Sequence, residues 1–346
     1  MIGISATSIW MATSDTPDRP ALDMDVTTDV CVVGAGIAGL TTAYMVAGDG
    51  RSVVVLDDGP IGGGETGRTT AHLSNAVDDR YYEIERLHGH DGARLAAESH
   101  TAAIDRIEAI VADENVDCSF ERLDGYLFVP EGEPVDQLDR ELEAARRAGV
   151  PGVERVDRAP VDSFDTGPCL RFPRQGQFHP LEYLAALASA VERRGGRIFL
   201  HSHAAKIVGG DSARVKTSAG YTVSAAAVVV ATNSPVQDIV TIHTKQAPYR
   251  SFVVGARVPR GTVSKLLLWD TLDPYHYVRL QRAGEHDVLI VGGEDHKTGH
   301  EDDAEARYGR LAAWARQRFP MVESIDYRWS GQVMMRVPWA NVVPAS

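Results

Sequence analysis

The clearest pattern of apolar positions in this chain runs from Thr28 to Asp57. An apolar run, Val30–Val33, is followed by glycines and a helical stretch, and a second apolar run, Val53–Leu56, comes after them. Short continuous apolar runs are typical of buried parallel strands, and a helix joins two such strands in a crossover. The pattern therefore predicts a βαβ unit on a parallel sheet.

The remaining apolar spacing predicts further helices, a hairpin and a strand-rich region. Helical spacing predicts two helical stretches over residues 79–114, and Pro180 suits the first position of a helix that opens after His179. The other predicted elements are short strands around Tyr126–Val129, a charged helix over Gln137–Ala148, a strand, hairpin and strand over Arg197–Asn233, strands over Ala247–Gly293 and a helix over Ala304–Phe319. This mixture predicts an α/β chain, α+β overall, with two domains.

Charge and cysteine content exclude several classes of protein. The chain has 35 Lys+Arg against 48 Asp+Glu, a net charge of −13, which argues against a nucleic-acid partner because phosphate neutralisation needs a basic face. Its three cysteines, Cys31, Cys118 and Cys169, are far apart in the sequence. We therefore expect neither a disulfide framework nor a metal or iron–sulfur site.

Hydropathy predicts no passage through a membrane. No apolar run approaches the length of about 20 residues that a spanning helix needs, and the first twelve residues carry no basic residue and no clear cleavage site. The expected location is therefore the cytoplasm.

The glycines after the first predicted strand form a G-x-G-x-x-G pattern at Gly34, Gly36 and Gly39. In a nucleotide-binding βαβ unit, the first glycine allows a tight turn, the second lets the backbone approach a pyrophosphate, and the third lets the helix pack on the strand. The amides at the helix start then face the diphosphate. The alternative is a strand–glycine–helix turn without a ligand, and the surrounding βαβ pattern favours the dinucleotide site.

Asp57 ends the second apolar run, about 20 residues after the glycines, where a carboxylate can bind ribose hydroxyls. This position disfavours NADP but leaves NAD and FAD open. Two features favour FAD: the Gly-rich loop Ile61–Thr70 and the turn Ala231–Asn233 that follows a late apolar strand. Asparagine can replace glycine there because it reaches the left-handed conformation.

The chain resembles the D-amino-acid oxidase/glycine oxidase superfamily of FAD-dependent oxidoreductases. The resemblance rests on DVCVVGAGIAGLTTAYMVAGDGRSVVVLD, GGGETGRTTAH, VVVATNSP, VLIVGGEDHKTG and RWSGQV, over about Thr28 to Gly331. SIWMATSDTP and QFHPLEYL are similar to members that carry a C-terminal Rieske domain, which is expected to be absent here because the chain has no C-x-H pair.

The resemblance implies a Rossmann-type FAD-binding domain interwoven with a mixed-sheet substrate domain. The expected ranges are a lead segment at 1–25, an FAD-binding domain at 26–78, 165–245 and about 320–346, and a substrate domain at 79–164 and 246–319. Family members continue after W-S-G into a glycine turn and a helix that close over the flavin. Only fifteen residues follow Gly331, and they contain no glycine, so this closing element is expected to be missing.

The implied reaction is oxidation of a C–N bond in an amine or amino acid. A hydride passes from the substrate carbon to flavin N5, and water hydrolyses the resulting imine. The resemblance leaves a separate electron acceptor open, whether oxygen, a quinone or an iron–sulfur partner. The alternative function is a truncated, catalytically impaired dinucleotide-binding protein.

The resemblance also assigns cofactor contacts, among which His72 stands out. In one branch of the family, a histidine in a similar T-x-H loop attaches the flavin covalently, and the alternative here is a histidine packed near the ring. The predicted FAD-contacting residues are Gly34, Gly36, Ile37, Ala38, Gly39, Asp57, Asp58, Gly64, Arg68, Thr69, Thr70, His72, Ala205, Ala231 and Thr232.

Substrate contacts are predicted on one later strand. Tyr275, Tyr277 and Arg279 alternate there and so share one face, where an arginine between tyrosines can bind a carboxylate. The alternative is that these side chains only cover the sheet.

Overall fold

A computed structural model describes residues 7–233, 246–298 and 303–336, and these residues form six α-helices and two sheets. The helices are α1 (Ile9–Thr13), α2 (Ile37–Gly48), α3 (Tyr81–Asp113), α4 (Asp136–Arg147), α5 (Pro180–Arg193) and α6 (Ala304–Arg318). The strands are β1 (Val26–Val33), β2 (Val53–Leu56), β3 (His72–Leu73), β4 (Glu121–Phe128), β5 (Glu154–Val156), β6 (Cys169–Gln177), β7 (Arg197–Phe199), β8 (Ala204–Val208), β9 (Ala213–Thr217), β10 (Thr222–Val230), β11 (Gln246–Pro259), β12 (Leu267–Asp270), β13 (Tyr277–Ala283), β14 (His286–Lys297) and β15 (Ser324–Arg336). In this part of the chain, no helix is long and apolar enough to cross a membrane.

The first sheet confirms the predicted βαβ unit. Its strands follow the order β7-β2-β1-β10-β9-β8, and the first four are parallel to one another. The predicted hairpin forms β8, β9 and β10, which pair antiparallel. Both faces of β2 are buried, as expected for a central parallel strand.

The second sheet is mixed and follows the order β15-β11-β14-β13-β12-β4-β6-β3, with β5 paired to β6. Strands β4 and β12 are parallel, whereas β15 runs antiparallel to β11 from Ser324 to Arg336. The sheet pairing differs from the predicted ranges at β3, β6 and β15, which were expected in the FAD-binding domain. Hydrogen bonding to partners distant in sequence decides the sheet to which a strand belongs, and the division of the chain into two domains stays a prediction.

The two sheets share one apolar core. Val32 and Val55 of the first sheet belong to the same buried cluster as Val253, Ile290 and Trp329 of the second. Helices α2 and α5 contribute to it as well. The sheets are therefore packed against each other through side chains, as the interwoven fold implied. Helix α6 covers the opposite face of the second sheet.

The helical region 81–113 contains the two predicted stretches. Both belong to α3, and Gly89 between them has a φ of +70°, which is not helical and marks a kink. Glycine adopts this conformation without a steric cost, so it can interrupt the helix here.

Residues 8–13 received no structural role from the sequence, and here the structure adds an element. Ser8 caps α1 by accepting a hydrogen bond from the Met11 amide at 3.2 Å. Ile9 and Trp10 are almost completely buried. The following segment is mostly exposed as expected, with Leu22 buried.

Candidate cofactor and active site

The glycine turn after β1 has the close contacts that its sequence predicted. Gly34 has a φ of +113°, and a Cβ atom built on it would lie 2.4 Å from the Ala231 carbonyl oxygen. A Cβ atom on Gly39 would lie 1.8 Å from the carbonyl oxygen of Gly34. Side chains at these two positions are thus excluded by backbone, which lets α2 approach β1 and β10 closely.

The start of α2 is open on one side. Gly34 and Gly39 are buried, whereas Gly36 and Ile37 are half-buried and Ala38 is exposed. The first amides of a helix have no acceptor within it and favour an anion. The Ile37 amide donates to Thr66 Oγ1 at 3.2 Å. Sequence reasoning missed Thr66, although its hydroxyl lies in the Gly-rich loop already assigned to the cofactor.

Asp57 lies directly beside the glycine turn. Its Oδ2 atom accepts a hydrogen bond from the Ala35 amide at 2.5 Å, and its Oδ1 atom accepts one from Gly59 at 2.8 Å. Burial raises the pKa of this carboxyl, although both bonds oppose the rise. The neighbouring Asp58 pairs with His203 at 3.2 Å, which places the start of β8 next to the end of β2.

The two remaining predicted segments differ in their surroundings. Ala205 is exposed on the edge strand β8. The Ala231 amide donates to the Val33 carbonyl at 2.8 Å, so the turn after β10 lies against the glycine turn, and Thr232 follows it. Asn233 has a φ of +61°, which confirms the predicted left-handed conformation. Contact of these residues with FAD stays a prediction.

The Gly-rich loop, residues 62–72 and called the glycine loop below, contains a 3₁₀ helix at Glu65–Arg68. The Arg68 guanidinium donates to the carbonyl oxygens of Gly63 and Gly64 at 2.7 and 2.8 Å and so closes the loop on itself. Thr69 is exposed and Thr70 half-buried. Of the predicted side chains here, Thr69 is therefore the exposed one, while Arg68 and His72 are half-buried like Thr70.

Five consecutive carbonyl groups of the glycine loop, from Gly67 to Ala71, accept hydrogen bonds from side chains outside it. The donors belong to three distant segments of the sequence. The bonds are Ser8 Oγ to Gly67 O at 2.6 Å, Trp329 Nε1 to Arg68 O at 2.8 Å, Trp10 Nε1 to Thr69 O at 2.6 Å, and Arg279 Nη1 to Thr70 O at 3.2 Å and to Ala71 O at 2.9 Å.

Strand β15 contacts the glycine loop at further positions besides Trp329. The Gln332 amide donates to Glu65 Oε2 at 2.6 Å. Gly331 lies so close that a Cβ atom on it would be 3.3 Å from the Arg68 carbonyl oxygen. The W-S-G segment quoted in the sequence resemblance is therefore a contact surface for the glycine loop.

His72 lies at the end of the loop, with a partner for each ring nitrogen. Its Nε2 atom is 3.3 Å from the Val278 carbonyl oxygen and must carry the proton, so Nδ1 accepts from Thr70 Oγ1 at 3.1 Å. Burial, and then the charge of Arg279, lower the pKa of His72 to about 3. The ring is therefore neutral at pH 7 and packs edge-on to Tyr277, at 5.7 Å between centroids. These contacts suit a packed histidine, and covalent attachment to flavin stays a prediction.

Arg279 is 0% exposed and faces the glycine loop. Besides its loop contacts, Nη1 bonds the Phe178 carbonyl oxygen at 3.1 Å and Nη2 bonds Gln281 Oε1 at 2.5 Å. Burial lowers the pKa of this guanidinium to about 9, so it stays charged at pH 7. Protein oxygens thus bind Nη1 and Nη2, whereas Nε has no hydrogen-bond partner among the described residues, and binding of a substrate carboxylate stays a prediction.

The two predicted tyrosines lie near His72 in different settings. Tyr277 begins β13 and shares a face with Arg279, whereas Tyr275 precedes the strand, so the prediction of three residues alternating on one strand is wrong for Tyr275. Pairing of β13 with β12 and β14 starts only at Tyr277, which explains the difference. The two rings are 5.4 Å apart, and Tyr275 Oη donates to Asp78 Oδ2 at 3.1 Å.

Sequence reasoning missed a polar cluster formed by Tyr277, Ser251 and Asp295. The Tyr277 hydroxyl lies 2.6 Å from Ser251 Oγ, and Asp295 lies on β14, which pairs with β11 on either side of Ser251. Either hydroxyl of the Tyr277–Ser251 pair can be the donor. Burial raises the pKa of Asp295 to about 6, and its Oδ1 atom has no hydrogen-bond partner among the described residues. Asp295 lies in the charged stretch GGEDHK, which looks solvated in the sequence, and it was therefore not predicted as a site residue.

His179 was also missed as a residue near the site. It caps α5 by accepting the Glu182 amide on Nδ1 at 3.3 Å, and Nε2 lies 3.0 Å from Thr13 Oγ1. Its ring meets Trp10 edge-on at 4.9 Å. Burial, and then the charge of Arg279, lower the pKa of His179 to about 4.

We expect His179 to make the protein acid-sensitive. As the pH falls from the ordinary value of 6.5 towards 4, the unfolded chain gains a proton here that the folded chain does not. His179→Asn keeps a good helix cap and removes this proton. The wild-type free energy of unfolding should therefore fall relative to the variant by about 1.4 kcal/mol per pH unit over this range. Urea unfolding at several pH values measures the difference, and parallel curves would contradict the assignment.

Comparisons with known proteins agree with this geometry. The family described as DAO, FAD dependent oxidoreductase, matches residues 29–343. The chain is 29% identical over 329 residues to the putative Rieske 2Fe-2S iron-sulfur protein YhfW of Bacillus subtilis, covering 95% of this chain but 64% of that protein. It is 28% identical over 346 residues to gamma-glutamylputrescine oxidoreductase of Escherichia coli, covering 95% of this chain and 79% of that protein.

Solved structures share the fold at lower identity. Glycine oxidase from Geobacillus kaustophilus superposes with a TM-score of 0.72 at 18% identity, covering 90% of this chain and 84% of that one. L-proline dehydrogenase from P. horikoshii gives a TM-score of 0.70 at 17% identity, with coverage of 92% and 84%. The family match spans nearly the whole chain, and the chain therefore belongs to the DAO family of FAD-dependent oxidoreductases.

Proposed function

We propose that this protein binds FAD between the glycine turn and His72 and oxidises the C–N bond of an amine. The observation that carries the proposal is the meeting of the glycine turn and the glycine loop at the open start of α2, where Thr66 bonds the Ile37 amide. FAD bound there would supply the acceptor for a hydride from the substrate carbon, which leaves an imine for water to hydrolyse.

The described residues fit the two ends of such a cofactor. The open amides of α2 suit the pyrophosphate, and the Thr66 hydroxyl beside them adds a hydrogen-bonding group. Asp57 lies where it can accept bonds from ribose hydroxyls, in exchange for the Ala35 amide that it now holds. Thr69, Thr70 and His72 follow along the glycine loop and are proposed to line the flavin end.

The residues around His72 favour a cationic amine over an amino-acid carboxylate as the group recognised. Nη1 of Arg279 is held by carbonyl oxygens, whereas Asp295 carries a half-buried carboxylate whose Oδ1 atom has no hydrogen-bond partner among the described residues. A carboxylate attracts an ammonium group, and with a pKa of about 6 it can take up the proton that the substrate nitrogen must lose. We propose Tyr275, Tyr277 and Asp295 as substrate contacts.

Anaerobic mixing tests the function directly. The FAD-loaded protein should lose its visible flavin absorbance when a di- or polyamine is added, and respond more weakly to neutral α-amino acids. Binding of FAD without bleaching by any amine or amino acid would instead support a dinucleotide-binding protein without turnover. Acid precipitation of the same sample reports on His72, because flavin held covalently precipitates with the protein.

We expect Asp295→Asn to raise the KM for a cationic amine about tenfold or more, because a charge-assisted contact is lost. The acid limb of the kcat/KM profile, expected near pH 6 in the wild type, should disappear as well. Asp287→Asn is the matched control, since Asp287 also lies on β14 but at its opposite end, where it accepts from the Gly261 amide. Equal KM values in wild type and Asp295→Asn would remove Asp295 from the substrate site.

A further inference from the structure

We propose that helix α1 is a working part of the cofactor site: Ser8 and Trp10, together with Arg279 and Trp329, position the glycine loop for the flavin. These four side chains are called the carbonyl clamp below. The inference rests on the proposed function, because the clamp is proposed to serve FAD binding. The contacts that form the clamp lie within the chain itself and do not depend on FAD.

The pattern of acceptors is the first argument. Each carbonyl group from Gly67 to Ala71 accepts a hydrogen bond from a clamp side chain. The 3₁₀ helix of the loop ends at Arg68, so these bonds orient the backbone that follows it. The clamp thus holds the loop through its backbone, and the Thr69 side chain stays exposed to solvent.

The chemistry of the donors is the second argument. An indole N–H and a guanidinium donate and cannot accept, so Trp10, Trp329 and Arg279 need hydrogen-bond acceptors, which the loop carbonyl groups supply. Trp10 is 0% exposed, and its ring contacts the Arg279 guanidinium at 5.1 Å and His179 at 4.9 Å. Burial and these two ring contacts therefore hold Trp10 in place in addition to its bond to the loop.

Sequence separation is the third argument. Trp10 and Thr69 are 59 residues apart, Arg279 and Ala71 are 208 apart, and Trp329 and Arg68 are 261 apart. A loop held from three remote segments has its conformation set by the whole fold. Such preorganisation lowers the entropy that ligand binding must otherwise cost.

Trp10→Phe tests the clamp, because it keeps an aromatic ring and removes the single N–H donor. Trp314→Phe is the matched control, since Trp314 is also buried but its Nε1 atom has no hydrogen-bond partner among the described residues. We expect Trp10→Phe to raise the Kd for FAD about five- to tenfold and to change the visible circular dichroism of the bound flavin. Trp314→Phe should change neither.

Hydrogen exchange of the FAD-free protein separates this inference from the proposed function. Amides in the peptide covering residues 62–72 should exchange faster in Trp10→Phe than in wild type or Trp314→Phe. If Trp10→Phe fails to fold, Ser8→Ala serves as a second variant, and we expect it to increase the exchange rate of this peptide by a smaller amount. Unchanged exchange and an unchanged flavin spectrum in the clamp variant would overturn the inference, as would equal changes in the control. Failure of amines to bleach the flavin would leave the clamp standing and overturn only the proposed reaction.

Discussion

Gly39→Ala should weaken FAD binding by about 100-fold or more, which corresponds to about 3 kcal/mol, the upper range for an overpacked contact. The added Cβ atom would lie 1.8 Å from the Gly34 carbonyl oxygen, and backbone cannot move aside as a flexible side chain can. Helix α2 must then shift away from β1, which moves its first amides out of place. Titration of the FAD-free protein with FAD, followed by flavin fluorescence, measures the loss.

Gly48→Ala provides the control on the same helix. Its Cβ atom would meet the end of the Arg194 side chain at 2.9 Å, and that guanidinium can swing away. Alanine also has the better helix propensity, so the Kd for FAD should stay within about twofold of wild type. Tight FAD binding by Gly39→Ala would show that the glycine turn is not the pyrophosphate site.

Arg279→Met should lower the free energy of unfolding by about 3 kcal/mol or more, because it leaves several buried carbonyl oxygens without a donor. Methionine roughly fills the same volume, so the loss reports on hydrogen bonding more than on packing. The carbonyl groups affected belong to Thr70, Ala71 and Phe178. Urea denaturation of the FAD-free protein gives the value without interference from the cofactor.

Arg282→Met is the matched control on β13, since Arg282 is exposed and should change stability by no more than about 0.5 kcal/mol. The same variants decide between two roles for Arg279. A residue that only bound a substrate carboxylate would leave stability unchanged on replacement and raise KM for amino acids alone. That outcome would support the carboxylate-binding role predicted from the alternation of Tyr277 and Arg279.

The parts of this site that depend on neighbouring residues could be predicted from the sequence. Apolar runs, a glycine pattern and a carboxylate at a strand end are local signals, and they located β1, α2, β2 and Asp57. The left-handed Asn233 could be predicted for the same reason, because its conformation is a property of one residue after one strand.

The parts that depend on distant partners could not be predicted in this way. Trp10 looked like one apolar residue in a short leading segment, and only its bond to Thr69 shows its role. Arg279 looked like a substrate ligand because its alternation with Tyr277 is visible in sequence, whereas the loop carbonyls that occupy it are not. Asp295 became a candidate only when its proximity to Ser251 was known.

The long sequence separations in the carbonyl clamp also bear on the time at which the cofactor site can form during synthesis. A nascent chain that ends before Arg279 lacks the donors for Thr70, Ala71 and Arg68, although Ser8 and Trp10 were made early. The βαβ unit is made early, but β1 pairs with β10 and β2 with β7, so its sheet is completed only after these later strands have been made. The glycine loop reaches its final conformation only after Trp329 has emerged, so FAD is expected to join the chain near the end of synthesis.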